Sequence, residues 1–259
     1  ISGTTVFVRT SDSRNLTVAG NNSTLRLSVT QQVIQATGAN TIYLENLELQ
    51  FNSAPLIIAN NSATAATVYA KNVTLKYGGA NAISGYNGAT LTGTVSIFQN
   101  VTAAQNALDG LNYHVGTNSV LPQAIEINCL SRDNGWFASG DINNASTIHD
   151  GGSIVRVGGS YYRSAGPILA DVDAGTTSWN IGVTAWGSTA ATGAVQNANF
   201  QSQATGSGGM WIDASLGYRD PTAAAKYQFV VGASARMFVR MFSGDTNFSV
   251  GAGGTLSPY

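Results

Sequence analysis

A chain of 259 residues is long enough to bury a sizeable core, and 43% of it is hydrophobic while only 10% is charged. With a formal net charge of −1, 12 scattered basic residues and no apolar run near the roughly 20 residues of a membrane span, it is neither a nucleic-acid binder nor a helical membrane protein. The single cysteine, Cys129, rules out an intrachain disulfide and reads as a buried core position. Polarity comes from Asn, Ser, Thr, Gln and Gly, which close turns and stacked strands with uncharged hydrogen bonds.

The chain opens at Ile1 with no initiator Met and no signal-peptide pattern, as expected of a processed product or a piece of something longer. Residues 1–40 are predicted to form N-terminal coils. From residue 41 a repeat takes over. The segments Ile42–Leu49, Val68–Leu75, Ser96–Ala103 and Ala124–Ser131 each carry Asn at their fifth place: Asn46, Asn72, Asn100 and Asn128, at intervals of 26, 28 and 28 residues. An apolar residue follows each Asn (Leu47, Val73, Val101, Cys129), and three places before it stand Tyr43, Tyr69, Ile97 and Ile125. A period of this size with short β-rich segments marks a solenoid. Asn tolerates the left-handed backbone of a tight bend, and its amide can bond to the Asn one coil away. An inward-facing amide ladder is therefore predicted, and no glycosylation is read from the Asn-x-Thr sequences at Asn72 and Asn100.

Gly152–Gly158, Ser178–Ala185, Ala194–Phe200 and Gly209–Ser215 continue the strand pattern at shorter spacing. Asp109–Gln123, Asp133–Gly151 and Tyr161–Thr177 read as long lateral inserts. After about Ser215 the register dissolves, and residues 216–259 are predicted to be a C-terminal cap and tail. The whole is read as one all-β domain, a single-stranded right-handed parallel β-helix with regular coils over 41–215.

Inserts on a solenoid tend to gather on one face and carry function. Hydrolysis of a glycan needs two carboxylates roughly 5–10 Å apart, and matched columns one coil apart supply about that spacing. Asp109, Asp133, Asp150 and Asp171 are the candidates, with Glu126, Asp141 and Asp173 nearby. Elimination would need a base, for which His114 and His149 are available, and a cation beside a uronate, for which Arg132 and Arg156 are available. Sugar rings and hydroxyls would be met by Trp136, Tyr161, Tyr162 and Arg163. Trp179 and Trp211 lie in strand segments and read as core or stacked. Asp171-Val-Asp173-Ala-Gly175 is only a fragment of a calcium-loop spacing, so no metal or cofactor is predicted.

The run Asn144–Tyr161, with Gly166–Val172, Ser178–Asn180, Met210–Asp213 and Asn106–His114, resembles β-helix proteins of the pectate-lyase-like superfamily, chiefly bacterial and phage members of tailspike type. That resemblance implies polysaccharide as partner, an extracellular, virion or cell-surface location, and a homotrimer. Trp211-Ile-Asp213 echoes a Trp-Ile-Asp-His motif of pectate lyases but has Ala214 in place of the His, and polygalacturonase motifs are missing. Three functions stay open: a polysaccharide-recognising spike with or without depolymerising activity, a secreted lyase, hydrolase or epimerase, and a structural virion or filament subunit.

Overall fold

A strand pairs in parallel with a neighbour only if the chain first travels back to its starting edge, and a chain that bends at fixed intervals does this by coiling. The computed structural model describes residues 33–50, 55–78, 87–135, 143–188, 198–218, 227–245 and 247–259. It shows a right-handed parallel β-solenoid without helix among these residues. The strands form one sheet of nine and one of fifteen. The larger sheet is folded along a corner and supplies two faces, the nine-stranded sheet the third.

The asparagine column is that corner. Asn46, Asn72, Asn100 and Asn128 all have positive φ, between 50° and 54°. Beyond Asn128 the column continues through Gly158, Gly182, Ala214 and Met241, again with positive φ. Each corner N–H from Asn100 to Ala214 donates to the carbonyl of the residue just before the next corner, as Asn128 does to Val157 at 2.9 Å. Asn72 donates its amide to Asn46 at 2.9 Å and Asn100 to Asn72 at 3.1 Å. Contrary to expectation, this ladder lies outside. Asn72, Asn100 and Asn128 are exposed, because the left-handed corner turns its own side chain outward and the next one inward. Val73, Val101 and Cys129 are accordingly buried. The sequence argument against glycosylation, which rested on an inward ladder, falls with it.

The first face precedes the corner and stacks segments such as Thr94–Gln99, Gln123–Ile127, Ser153–Val157 and Thr177–Ile181. The second follows it, with Leu130–Arg132, Ser160–Tyr162, Thr184–Trp186 and Leu216–Tyr218. Thr41–Gln50 and Ala66–Lys76 run through the corner and serve both. A second left-handed corner, through Gln105, Asp133 and Arg163, closes the second face.

Three expectations are corrected here. The supposed inserts contain the third-face strands Leu111–His114, Ser146–Ile148 and Leu169–Asp171, which stack in register with one another. Ala198–Ser202 belongs to that third face and not with Gly209–Asp213. The register does not dissolve after Ser215: Tyr227–Val231, Arg236–Arg240 and Thr255–Pro258 are further parallel strands that continue the stack.

Inside, Leu56, Ile58, Leu91, Leu111 and Phe98 are fully buried, each worth roughly 1.5–3 kcal/mol. One inward column changes character along the axis. It runs Leu44, Ala70, Phe98, then Glu126, Arg156 and Asn180, then Ile212 and Val239.

Candidate functional site

Four residues favoured by sequence lie inside the solenoid. The carboxylate of Glu126 accepts hydrogen bonds from Tyr113 (3.0 Å), Tyr161 (2.7 Å) and Ser146 (2.7 Å), and Arg156 Nε lies 3.7 Å from it. Arg156 also donates Nη1 to Asn180 at 3.0 Å, and Ser178 donates to Asp171 at 2.7 Å. Glu126, Arg156, Tyr161 and Asp171 are all fully buried. Arg156 and Tyr161 therefore meet no uronate or sugar ring, and Asp171 reaches no substrate. For Glu126, Arg156 and Tyr161 the reason is the pleat, each standing at an inward position of a strand whose neighbours point out, whereas Asp171 lies in a strand buried at every residue. Burial pushes Asp171 up to about 7, against the pull of Arg156 and Ser178.

Asp109 is a corner staple. Its carboxylate accepts the Asn144 N–H and the Asn112 amide, both at 2.6 Å, and its own N–H donates to Asn87. Burial drives it up to about 7, with the Asn144 bond opposing. It replaces Asn in a column where Asn87 and Asn144 brace Thr90 and Thr147 in the same way.

The remaining candidates form two clusters. At the end of the third face His114 and His149 stack one coil apart, with ring centroids 4.2 Å apart and planes at 16°. His114 Nδ1 lies 3.3 Å from Asp150 Oδ2, and His149 Nδ1 lies 3.4 Å from Asp173 Oδ2. Val115 also donates its N–H to Asp150. Burial, and then the neighbouring His114, hold His149 below the ordinary histidine value despite Asp173 and Asp150. Burial would raise Asp150, but the Val115 N–H and the two imidazoles keep it below the usual carboxylate range. The cluster thus offers a neutral base and a firmly ionised carboxylate.

The second cluster lies on the second face. Arg132, Tyr162, Trp186 and Tyr218 occupy one outward column. Tyr162 and Trp186 stack at 4.7 Å and 11°, Trp186 and Tyr218 at 5.2 Å and 15°. Beside them, on the second corner, Arg163 grips Asp133 through two bonds of 2.6 and 3.0 Å, and Arg132 donates to the same carboxylate. The Arg163 guanidinium sits 5.3 Å from the Tyr162 centroid and 5.9 Å from that of Trp186. Two guanidiniums thus converge on one carboxylate at this edge. Stacked rings spend their faces on each other, so the ladder presents ring edges and polar tips; the end ring, Tyr218, is 42% exposed.

Of the residues predicted from sequence, the structure thus brings together Arg132, Asp133, Tyr162 and Arg163 in one place and His114, His149 and Asp150 in another. Trp136 and Asp141 lie outside the described residues. Tyr218 was missed and Trp186 was not singled out, although both follow from a rule. Arg132, Tyr162, Trp186 and Tyr218 each stand four residues after a corner residue (Asn128, Gly158, Gly182, Ala214). Among the described residues no group of three or more His, Cys, Asp or Glu is arranged to hold a metal ion. No helix among them is long and apolar enough to cross a membrane.

No family model matches the chain, and no curated protein or solved structure is significantly similar to it.

Proposed function

We propose that the protein recognises polysaccharide on its second face, as an extracellular, cell-surface or virion-borne solenoid akin to the tailspike-type members of the pectate-lyase-like superfamily. The observation that carries this reading is the column Arg132, Tyr162, Trp186 and Tyr218 with Asp133 and Arg163 alongside. Rings and planar hydrogen-bonding groups at intervals of about 4.8 Å approximate the spacing of sugar units in an extended chain. The guanidiniums donate to hydroxyls or carboxylates while the stacked rings hold their geometry without further ordering cost. Guanidiniums can donate in pairs to a carboxylate, so an acidic glycan is expected to bind better than a neutral one.

The test is co-elution of the protein with a panel of acidic and neutral bacterial polysaccharides on size exclusion. Binding of at least one acidic polymer is expected, weakened about tenfold or more by Trp186→Ala and by Arg163→Ala. Binding unaffected by either variant, or no binding to any polymer, overturns the proposal.

One observation favours a catalytic second reading. Asp150 and Asp173 lie two residues past the paired Ile148 and Asp171, so one coil separates them, near the roughly 5 Å of retaining glycosidases. Shortened polymer that disappears with Asp150→Asn or His149→Ala would establish it. New ultraviolet absorbance from an unsaturated product would make the reaction an elimination.

A further inference from the structure

The first face points to a different partner. Three residues of each of its strands face outward. The middle column, three places before the corner, begins Tyr43, Tyr69, Ile97, Ile125 and continues Val155, Trp179, Trp211, Phe238. In the central coils the column next to the corner is also apolar, with Ile127, Val157 and Ile181. Ile125, Val157, Trp179 and Ile181 each keep 38–40% of their surface exposed. Directly behind this patch the core turns polar, with Glu126, Arg156 and Asn180 pointing inward. The central coils therefore carry apolar side chains outside and charge inside, the reverse of a face meant for water.

Among the described residues the charges on this face, Arg236 included, lie on either side of its apolar centre, and those beside the corner follow a definite order. Along the column beside the corner stand Glu45, Lys71, Gln99, Ile127, Val157, Ile181, Asp213 and Arg240, and the last coil adds Tyr259 beyond Arg240. Glu45 pairs with Lys71 at 3.3 Å at one end, and Asp213 pairs with Arg240 at the other. Turned end for end about a point between Ile127 and Val157, the eight levels from Glu45 to Arg240 match: Glu45 meets Arg240, Lys71 meets Asp213, Gln99 meets Ile181, and Ile127 meets Val157, while Tyr259 lies beyond the match. The middle column does likewise, with Tyr43 meeting Phe238, Tyr69 meeting Trp211, and Ile125 meeting Val155. A parallel two-fold along the middle column would instead set Glu45, Lys71 and Asp213 opposite Thr41, Thr67 and Gly209 and Arg240 opposite Arg236, pairing no acid with a base.

We infer that two copies of this chain associate through their first faces, antiparallel about a two-fold axis lying between the levels of Ile127 and Val157. Such an interface is isologous, each patch serving as its own complement. The eight matched levels at about 4.8 Å and five residues at about 3.3 Å give roughly 630 Å² of planar area per copy. Side-chain relief brings the accessible area close to the roughly 800 Å² per partner of a stable complex. An apolar centre with charges only at its rim is the composition of such an interface. The second face, with its ladder, remains open on both copies.

Sedimentation equilibrium and light scattering of the full chain test this. A dimer is expected at micromolar concentration. Val157→Lys places a cation on the axis and is expected to leave only monomer. Lys71→Glu sets an acid against Asp213 of the partner copy and is expected to raise the dissociation constant about tenfold or more, and Asp213→Lys to do the same with bases. Mixing these two variants in equal amounts restores opposite charges at both ends and is expected to recover a heterodimer. Circular dichroism checks that each variant keeps its β-structure; Lys71→Arg, which retains the charge, should dimerise like the parent and covers the case in which Lys71→Glu does not fold. A monomeric parent chain, a trimer, or a dimer in which the mixture is no stronger than the separate variants overturns the inference.

Discussion

The central and terminal coils of the first face are built on the same register and have opposite polarity. At the ends, Leu44, Ala70, Ile212 and Val239 point inward and Glu45, Lys71, Asp213 and Arg240 outward. In the middle, Glu126, Arg156 and Asn180 point inward and Ile125, Val155 and Trp179 outward. A solenoid makes this possible because every column is an independent stack. Its polarity at any level is set by one residue and satisfied by the levels above and below. Burying charge is tolerable in the centre because Tyr113, Tyr161 and Ser146 surround the Glu126 carboxylate and Arg156 has Ser146 and Asn180 as acceptors.

The largest test of that comparison is to remove one charge from the polar centre. Glu126→Leu leaves Arg156 buried without its carboxylate, and a loss of about 3–5 kcal/mol is expected, read as a lowered midpoint in urea unfolding. Phe98→Leu, one level away in the same column, keeps that stretch apolar and is expected to cost about 1–2 kcal/mol. Equal losses would mean that the two stretches are not held differently.

A second test uses pH. Asp171 has a folded value of about 7, above its unfolded 3.8, so the folded state holds a proton that the unfolded chain has released between those limits. This contribution is fully present below pH 3.8 and is lost as pH rises through 7. Asp171→Asn is therefore expected to be more stable than the parent at pH 8, by an amount on the order of a few kcal/mol, and to flatten the slope between pH 4 and 7. Asp109 acts with the same sign. His149, held below 6.5, acts with the opposite one: its contribution is lost as pH falls below 6.5, and His149→Gln should remove that loss. Melting temperatures across this range separate the three.

The smallest effect belongs to the terminal coils. Glu45→Ala combined with Lys71→Ala removes a pair in which both side chains are about half exposed. Monomer stability should change by less than about 1 kcal/mol, even though the same residues matter to association. A larger loss in the unfolding midpoint would make that pair a folding element.

Much of this architecture could be read from one residue type. Asn adopts the left-handed corner readily, so four coils announced themselves through Asn46, Asn72, Asn100 and Asn128. The later coils make the same corner with Gly158, Gly182, Ala214 and Met241, which share no side-chain chemistry. The column faded from view there, and with it Trp186 and Tyr218. The third face was hidden for another reason. Its central strands have three or four residues, and in Ser146–Ile148 and Leu169–Asp171 every residue is buried, so no alternation marks them. Polar residues there belong to internal staples such as Asp109 with Asn144, and polarity was mistaken for exposure. Arg132, Tyr162 and Arg163 were found for a different reason, since they lie at or beside the segments Asp133–Gly151 and Tyr161–Thr177 that were read as inserts.

The spacing of the corners also makes the length of the rod an adjustable dimension. Excising residues 73–100 would bring Asn72 under Asn128 and leave each remaining level with a compatible neighbour, as in other stacked-repeat proteins. The shortened chain should still fold and its charges would still oppose one another end for end, now about Val157, but they would no longer align with those of the full-length chain. In such a molecule the number of coils acts as a ruler: two rods recognise one another only when they are cut to the same length.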